Sequence, residues 1–278
     1  MDTDQVWAIA MVKDEEDIIL ETLTHIAGEG VDGIAVMDNA SSDGTLELLH
    51  EARSQLLCPI WIYEEPEIGY FQSARMTWLA NIVAKEGASW VIPFDADEIW
   101  YCREDRIATY LRGLPDTTLA VGARLWNHFV TSFDEPGNPF TAMAYRDSKS
   151  GALPKVAFRP VGEFTVAAGN HGVFMKDPDT GENVLFQPDL SHNQALDIRH
   201  FPYRSFDQFL HKVINGGKAY EATDLPKDVG AHWREYYAIW KNGGDDALRE
   251  LFEEWYYFTA PVTSGLVDDP APFCRWAS

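Results

Sequence analysis

Three carboxylates follow a short apolar run in the stretch VIPFDADEIW, residues 91–100. If a buried strand carried Asp95, Asp97 and Glu98 into the protein without partners, the three carboxylates would repel one another and lose hydration. Residues two apart in an extended segment point to the same side, so Asp95 and Asp97 are expected to face one way. Such a pair suits Mg²⁺ or Mn²⁺, which share their ligand shells with substrate phosphates and water. A solvated loop after a strand is the alternative interpretation.

Two further polar clusters follow apolar runs, KDEE at 13–16 and DNASSDG at 38–44. Alternating periodicities predict the elements that position them: strands over 6–12, 33–39, 58–65 and 89–98, and helices over 14–30, 41–55 and 71–87. Strands that alternate with helices predict a parallel sheet with helices on both faces. Ligands bind beyond the carboxyl ends of such strands, so the three clusters predict one pocket. Asp14 is the expected N-cap of the first helix, and Asp43 is that of the second.

The pattern changes from about residue 118 to shorter strands, with Gly- and Pro-rich loops near 134–139 and 177–183 that resemble hairpin tips. Ser205 and Gln208 form a capping box that opens a helix running to about Gly216. The aromatic-rich segment 228–258 is predicted to be helical and to pack against a partner surface.

Composition limits the class of protein. The 278 residues carry a formal net charge of −22, which argues against a surface that binds nucleic acid or anionic lipid. The three cysteines, Cys58, Cys102 and Cys274, are too few and too scattered for a disulfide framework or a zinc site, and favour a reducing compartment. With no signal-like N-terminus and no apolar run of membrane-spanning length, we expect a cytoplasmic protein that is not an integral membrane protein.

The element DNASSDGT, preceded by the lysine-led KDEE and followed by FDADEI, resembles a family 2-type glycosyltransferase of the branch with a K-N/D-E signature. Asn39 departs from the family pattern, which often has a second Asp there. The resemblance implies the α/β GT-A fold, a Rossmann-like, mostly parallel sheet flanked by helices, with a helical C-terminal tail. It implies a glycosyltransferase domain at 1–220, divided into a nucleotide-binding half at 1–100 and an acceptor and metal half at 118–220, and a helical extension at 221–278.

The same resemblance implies roles for individual residues. The base, ribose and phosphates of a nucleotide sugar would lie against Val12, Lys13, Glu15, Asp38, Arg75, Asp95 and Ala96. A Mn²⁺ or Mg²⁺ ion would be held by Asp97, with Asp95 and His200 completing its shell. Lys212 and Arg204 would either neutralise phosphate or pair with surface acids.

The implied reaction is metal-dependent transfer of a hexose-like sugar from a nucleotide-diphosphate sugar to an acceptor hydroxyl, with inversion. Asp97 would act catalytically through the metal. A base must take the hydroxyl proton, and the candidates are His171, Glu163 and Asp189. His171 is preferred because an imidazole on a Gly-flanked loop titrates near neutral pH. The acceptor stays open among a glycan, a lipid-linked sugar, a protein and a small molecule.

Three alternatives remain at this point. A non-catalytic module that binds nucleotide sugars or carbohydrate would share the pocket. A nucleotidyltransferase would usually have a Gly-rich basic loop where this chain has KDEED. A phosphatase that uses D-x-D would usually have Thr or Val where this chain has Ile99.

Overall fold

The computed structural model describes residues 4–269 apart from 68, 70, 136, 152, 178–179, 189–194 and 228. Its first half alternates strands and helices in the order β1 (Gln5–Val12), α1 (Ile19–Gly28), β2 (Gly33–Asp38), α2 (Thr45–Gln55), β3 (Ile60–Glu64), α3 (Gln72–Lys85) and β4 (Ala88–Pro93). The four strands pair in parallel in the order β3-β2-β1-β4. The predicted parallel sheet is confirmed, and its first three strands lie within two residues of their predicted bounds.

The central strand β1 shows why this half folds as layers. Successive side chains of a strand point to opposite faces of the sheet. Val6, Ala8 and Ala10 pack with α1 and α2 in one apolar core, whereas Trp7 and Ile9 pack with α3 in a second core. A strand covered on both faces must be apolar throughout, which explains the unbroken run VWAIAMV.

The second half adds shorter elements: β5 (Glu98–Cys102), α4 (Ile107–Arg112), β6 (Ala120–Asn127), β7 (Val130–Thr131), α5 (Pro139–Ala142), β8 (Tyr145–Arg146), β9 (Lys155–Phe158), β10 (Phe164–Val166), a 3-10 turn (Ala168–Asn170), β11 (Val173–Lys176), β12 (Asn183–Phe186) and β13 (Leu196–His200). Four of these strands extend the sheet to the order β3-β2-β1-β4-β9-β6-β13-β5. β9 is antiparallel to both β4 and β6, and β13 is parallel to β6 and antiparallel to β5. The sheet is therefore parallel in its first half and mixed in its second.

The segment 94–97 corrects the prediction of a strand over 89–98. β4 ends at Pro93, a turn follows, and Glu98 already begins β5, a strand that the sequence analysis missed. Asp95 and Asp97 thus lie in a turn, so the same-side rule for extended chain does not apply to them. The apolar and aromatic residues on both sides of the turn conceal it in the sequence.

The start of α1 also differs from the prediction. The helix begins at Ile19 instead of Asp14, and Asp14 is not its N-cap because no side chain caps this helix. Asp14 has a φ of 52°, outside the helical region, and its carboxylate accepts hydrogen bonds from the backbone N–H of Ser42 and from the Asn215 side chain. Residues from Asp14 onward would suit a first helical turn. Hydrogen bonds to distant residues hold them in a loop instead.

The chain continues through α6 (Phe206–Glu221), α7 (Ala231–Trp255), β14 (Tyr257–Phe258) and β15 (Val267–Asp268). Half of the predicted capping box is present, since the Ser205 hydroxyl accepts from the N–H of Gln208. The Gln208 side chain accepts from the N–H of Arg204 instead of that of Ser205, and α6 extends beyond Gly216. The aromatic tail packs as expected: Phe209 of α6 and Phe252 of α7 share a third apolar core. Within the described ranges, no helix combines the length and apolar character that a membrane crossing requires.

The two predicted hairpin tips have different outcomes. The strands on either side of 177–182, β11 and β12, pair antiparallel as in a hairpin, although 178–179 lie outside the described residues. The strand before 134, β7, pairs with the distant β14 and is followed along the chain by α5, so the described residues there form no hairpin.

Candidate active site

A cleft of about 1040 Å³ opens at the carboxyl ends of β1, β2 and β4. One wall is a stripe of α6, spaced at intervals that place side chains on one helical face: Ser205, Gln208, Lys212, Asn215, Gly216 and Ala219. The opposite wall comes from the loops after β1 and β2, and the floor includes the turn 95–97. All three polar clusters contribute to this cleft, so the predicted pocket is present.

The loops after β1 and β2 are joined by reciprocal hydrogen bonds. The N–H of Glu15 donates to the Thr45 hydroxyl at 2.8 Å, and the N–H of Gly44 donates to the Glu16 carboxylate at 2.7 Å. Lys13 Nζ donates to the carbonyls of Asn39 and Ala40, each at 2.8 Å. The prediction of Asp43 as the N-cap of α2 is wrong, because the N-cap is Gly44 and no side chain caps this helix. Asp43 precedes the N-cap and accepts from the Thr45 N–H two residues further on. Hydrogen bonds therefore hold the two loops together at the rim of the cleft.

Asp97 lies at the centre of a buried charge cluster. Its Oδ2 is 2.5 Å from Lys212 Nζ and 3.9 Å from Arg204 Nη1, and its Oδ1 is 3.6 Å from His200 Nε2. Burial alone would raise the pKa of Asp97, but the Lys212 ammonium and the Arg204 guanidinium hold it well below its usual value. Asp97 is therefore ionised at any pH near neutrality.

The side chain of His200 places its Nε2 atom near Asp97. Its Nδ1 is 2.7 Å from Oδ1 of Asn127, an acceptor, so Nδ1 carries the proton. Burial lowers the pKa of His200 to about 4, so the ring is neutral and Nε2 has a lone pair directed toward Asp97. A neutral imidazole oriented by a hydrogen bond from its other nitrogen is the usual form of a histidine ligand.

Arg204 closes the cluster from the side of the first loop. It makes two bonds of 2.7 Å to Asp17, one of 2.5 Å to Glu15 and one of 3.0 Å to the Phe201 carbonyl. Burial raises the pKa of Glu15 despite its proximity to Lys212 and Arg204. Arg204 thus ties the predicted nucleotide loop to the turn that carries Asp97.

Asp95 belongs to a separate cluster. Its Oδ2 is 2.5 Å from Lys155 Nζ, and its Oδ1 accepts from the side-chain amides of Gln72 and Asn170. Lys155 also contacts Glu98 at 2.7 Å. Burial raises the pKa of Glu98 to about 7, against the lowering effect of Lys155. The two aspartates of D-x-D line one cleft but have different partners.

The three candidate bases have different surroundings. His171 lines the cleft, and its Nδ1 donates to the Pro154 carbonyl at 2.9 Å, which leaves Nε2 as an acceptor. Burial lowers the pKa of His171. Glu163 pairs with Lys176 with 76% of its side chain exposed, outside the residues that line the cleft, so we do not retain it as a base. Asp189 lies outside the described residues.

The remaining predicted nucleotide contacts are spread along the rim. Val12, Lys13 and Ala96 line the cleft with Glu15. Asp38 is buried beside it; one carboxylate oxygen accepts from the Ser41 N–H, and Oδ1 has no hydrogen-bond partner within the described part of the chain. Arg75 does not line the cleft and pairs with Glu65 and Glu67 on the neighbouring surface.

Sequence reasoning missed several residues of this site. Lys155, Gln72 and Asn170 surround Asp95, and Asn127 orients His200. None lies in a recognisable motif, and each reaches the site from an element distant in sequence. The apolar KVAF run of β9, which begins with Lys155, was the only available signal of a buried lysine.

Few side chains of the cleft are arranged as possible metal ligands. Across the described ranges, no group of three or more His, Cys, Asp and Glu side chains is arranged to hold an ion. Asp97 Oδ1 and His200 Nε2 are a pair, and with metal–ligand bonds of about 2.1 Å both could reach one ion. A shell completed by phosphate oxygens and water is what Mg²⁺ normally takes, so the donor set fits a divalent ion that arrives with a phosphate ligand.

A scan against protein families and a search of curated proteins give no match. Among solved structures, the chain is similar to S. aureus TarS residues 1–349 in complex with UDP, with a TM-score of 0.38 and 13% identity over 82% of this chain and 68% of that one. The TarS complex with UDP-GlcNAc gives a TM-score of 0.39 and 13% identity, over 82% and 69% of the two chains.

A third neighbour is glucosyl-3-phosphoglycerate synthase from Mycobacterium tuberculosis with Mn²⁺, UDP and glucosyl-3-phosphoglycerate. Its TM-score is 0.25 with 15% identity, and the match covers 34% of each chain. The strand order of this chain by itself confirms the predicted α/β class with helices on the sheet faces.

Proposed function

We propose that this protein is a glycosyltransferase that moves a sugar from a nucleotide-diphosphate sugar to an acceptor hydroxyl, using a divalent cation held by Asp97 and His200. The observation that supports this most is the 3.6 Å separation between a buried, ionised carboxylate oxygen and a neutral imidazole nitrogen inside a large cleft. Both groups are in the protonation state that a metal ligand needs.

The charge of the cleft supports a cation that binds together with the donor. Its two clusters contain five carboxylates and three basic side chains: Glu15, Asp17, Asp95, Asp97 and Glu98 against Lys155, Arg204 and Lys212. Even with Glu98 half protonated near pH 7, the acids outnumber the bases. An anionic diphosphate would be repelled unless positive charge came with it.

The chain's own residues have separable tasks in this proposal. Bound between Asp97 and His200, a divalent ion would stabilise negative charge on the departing diphosphate. Lys212, whose Nζ is 2.5 Å from Asp97 Oδ2, could donate to a phosphate oxygen. Asp95 already pairs with Lys155, so we assign it to the donor ribose and not to the metal. His171 is neutral and presents Nε2, so it can accept the proton of the acceptor hydroxyl during a direct, inverting displacement.

A turnover assay tests this proposal. The protein is incubated with UDP-, GDP- and dTDP-sugars, with and without Mn²⁺, and released nucleoside diphosphate is measured. We expect metal-dependent release that falls by a factor of about 100 or more in Asp97→Asn, because a metal's Lewis-acid role is worth several kcal/mol. The matched control is Asp246→Asn, which removes an exposed carboxylate on α7.

Other outcomes would contradict the proposal. Tight binding of a nucleotide sugar with no turnover, across all acceptors tried, would favour a binding module. Release of inorganic phosphate from simple monoesters would favour a phosphatase. Release that is unaffected by Asp97→Asn would remove Asp97 from the chemistry.

A further inference from the structure

Lys212 forms an ion pair with Asp97, the carboxylate that would bind the proposed cation. Its Nζ is 2.5 Å from Asp97 Oδ2, 3.3 Å from the Pro202 carbonyl and 3.6 Å from Glu15 Oε1. Asp97 is therefore already neutralised without any ligand, and a second cation, Arg204, stands 3.9 Å away. A divalent ion that arrived alone would meet the positive charges of Lys212 and Arg204.

From this arrangement we infer that Lys212 is a positioning residue that couples the binding of the divalent cation to the binding of the diphosphate. The inference rests on the proposed function. Without a diphosphate, Lys212 satisfies Asp97 and opposes the ion. With a diphosphate present, the phosphate oxygens give the Lys212 ammonium a new partner and supply the negative charge that a second cation requires. Each ligand then strengthens the binding of the other, because such coupling is reciprocal.

The two cations near Asp97 differ in their freedom to change partners. Arg204 is held by four hydrogen bonds, and 1% of its side chain is exposed. Lys212 has 24% of its side chain exposed, lines the cleft and makes one short bond to a carboxylate. A lysine ammonium on a flexible four-carbon stem can move between acceptors, whereas a guanidinium in a bonded fork cannot. The exchange of partners is therefore assigned to Lys212.

Mn²⁺ binding, followed by electron paramagnetic resonance of the free ion, tests the inference without relying on turnover. Wild-type protein is titrated with Mn²⁺ alone and with Mn²⁺ in the presence of saturating UDP or GDP, with protein-free titrations to correct for Mn²⁺–nucleotide complexes. We expect Mn²⁺ to bind about tenfold more tightly when the nucleoside diphosphate is present. In Lys212→Met, we expect Mn²⁺ alone to bind about tenfold more tightly than in wild type. The enhancement by nucleotide should be clearly smaller than in wild type, since only the direct contact of phosphate oxygens with the ion is left to cause it.

Two variants control for charge and position. Lys212→Arg keeps a positive charge at this position, so Mn²⁺ alone is expected to bind it as weakly as it binds wild type. Lys218→Met removes an exposed lysine from the same helix, away from the cleft, and is expected to behave as wild type. Circular dichroism checks that each variant is folded, and Lys212→Gln replaces Lys212→Met if the latter is not.

The result separates this inference from the proposed function. If wild type binds Mn²⁺ with a nucleoside diphosphate but Lys212→Met shows the same enhancement, the role of Lys212 is wrong and the proposed function stands. Equal Mn²⁺ affinity of wild type with and without nucleotide overturns the coupling as well. If wild type binds neither Mn²⁺ nor any nucleoside diphosphate, the proposed function fails and this inference fails with it.

Discussion

His128 and His200 have the same protonation state in different surroundings. Each donates Nδ1–H to an oxygen, of Met143 and Asn127 respectively, and burial lowers the pKa of each to about 4. Nε2 of His128 is buried with no partner among the described residues, beside a stacked Phe201 ring. Nε2 of His200 instead faces Asp97 and the cleft. The same neutral imidazole is thus a packing residue at one position and a ligand candidate at the other.

The depressed pKa of His128 predicts a loss of stability in acid. Between its ordinary value of 6.5 and about 4, the unfolded chain binds a proton that the folded chain does not. The free energy of unfolding therefore falls as the pH decreases through this window, by about 3 kcal/mol for this residue. We expect His128→Asn, which keeps a donor for the Met143 carbonyl, to be less stable than wild type at pH 7.

The measurement is urea unfolding of both proteins at intervals from pH 7 to pH 4. The stability advantage of wild type over His128→Asn should shrink as the pH falls, and the difference between the two curves isolates this residue from the other titrating groups. A difference that does not change with pH would show that His128 is not buried in its neutral form.

Close contact between α6 and α7 holds the wall that carries Lys212. A Cβ added at Gly217 would lie 2.0 Å from Cγ of Tyr237, whereas one added at Gly216 would meet Trp233 at 3.4 Å. Only a glycine at 217 allows the two helices to approach this closely. The helical extension thus supports the cleft instead of merely following it in sequence.

Two neighbouring alanine substitutions test this contact. Glycine to alanine inside a helix is normally stabilising by about 1 kcal/mol. We expect Gly216→Ala to be neutral or stabilising, and Gly217→Ala to be destabilising by about 1–3 kcal/mol because the helices must separate. Thermal or chemical unfolding measures both variants, and equal effects of the two would contradict the packing described here.

Sequence patterns predicted elements well where local periodicity decides them. The strands β1 to β3 and the helices α3 and α7 follow from apolar runs and helical spacing. Sequence patterns gave wrong elements where contacts with residues distant in the chain determine the local structure. Acidic residues 14–17 suit a helical first turn, yet bonds to Ser42 and Thr45 make them a loop. The position of β13 between β6 and β5 likewise depends on pairings that no local signal shows.

At the scale of the whole molecule, an excess of acid surrounds a few well-placed bases. The formal net charge is −22, yet Lys155 and Arg204 are buried at the cleft and Lys212 lines it. Burial alone would lower the pKa of each, but adjacent carboxylates raise it, so all three remain charged. The motifs in the sequence located the carboxylates of the cleft, whereas which base pairs with which acid depends on the folded chain.

The proposed function requires Asp97 and His200 to hold a divalent ion together with a diphosphate. Crystals soaked in Mn²⁺ and UDP or GDP, with diffraction collected near the manganese absorption edge, test it most directly. We predict an anomalous difference peak about 2.1 Å from both Asp97 Oδ1 and His200 Nε2, in contact with phosphate oxygens. A nucleoside diphosphate bound in the cleft with no peak there, or with the ion elsewhere, would contradict it.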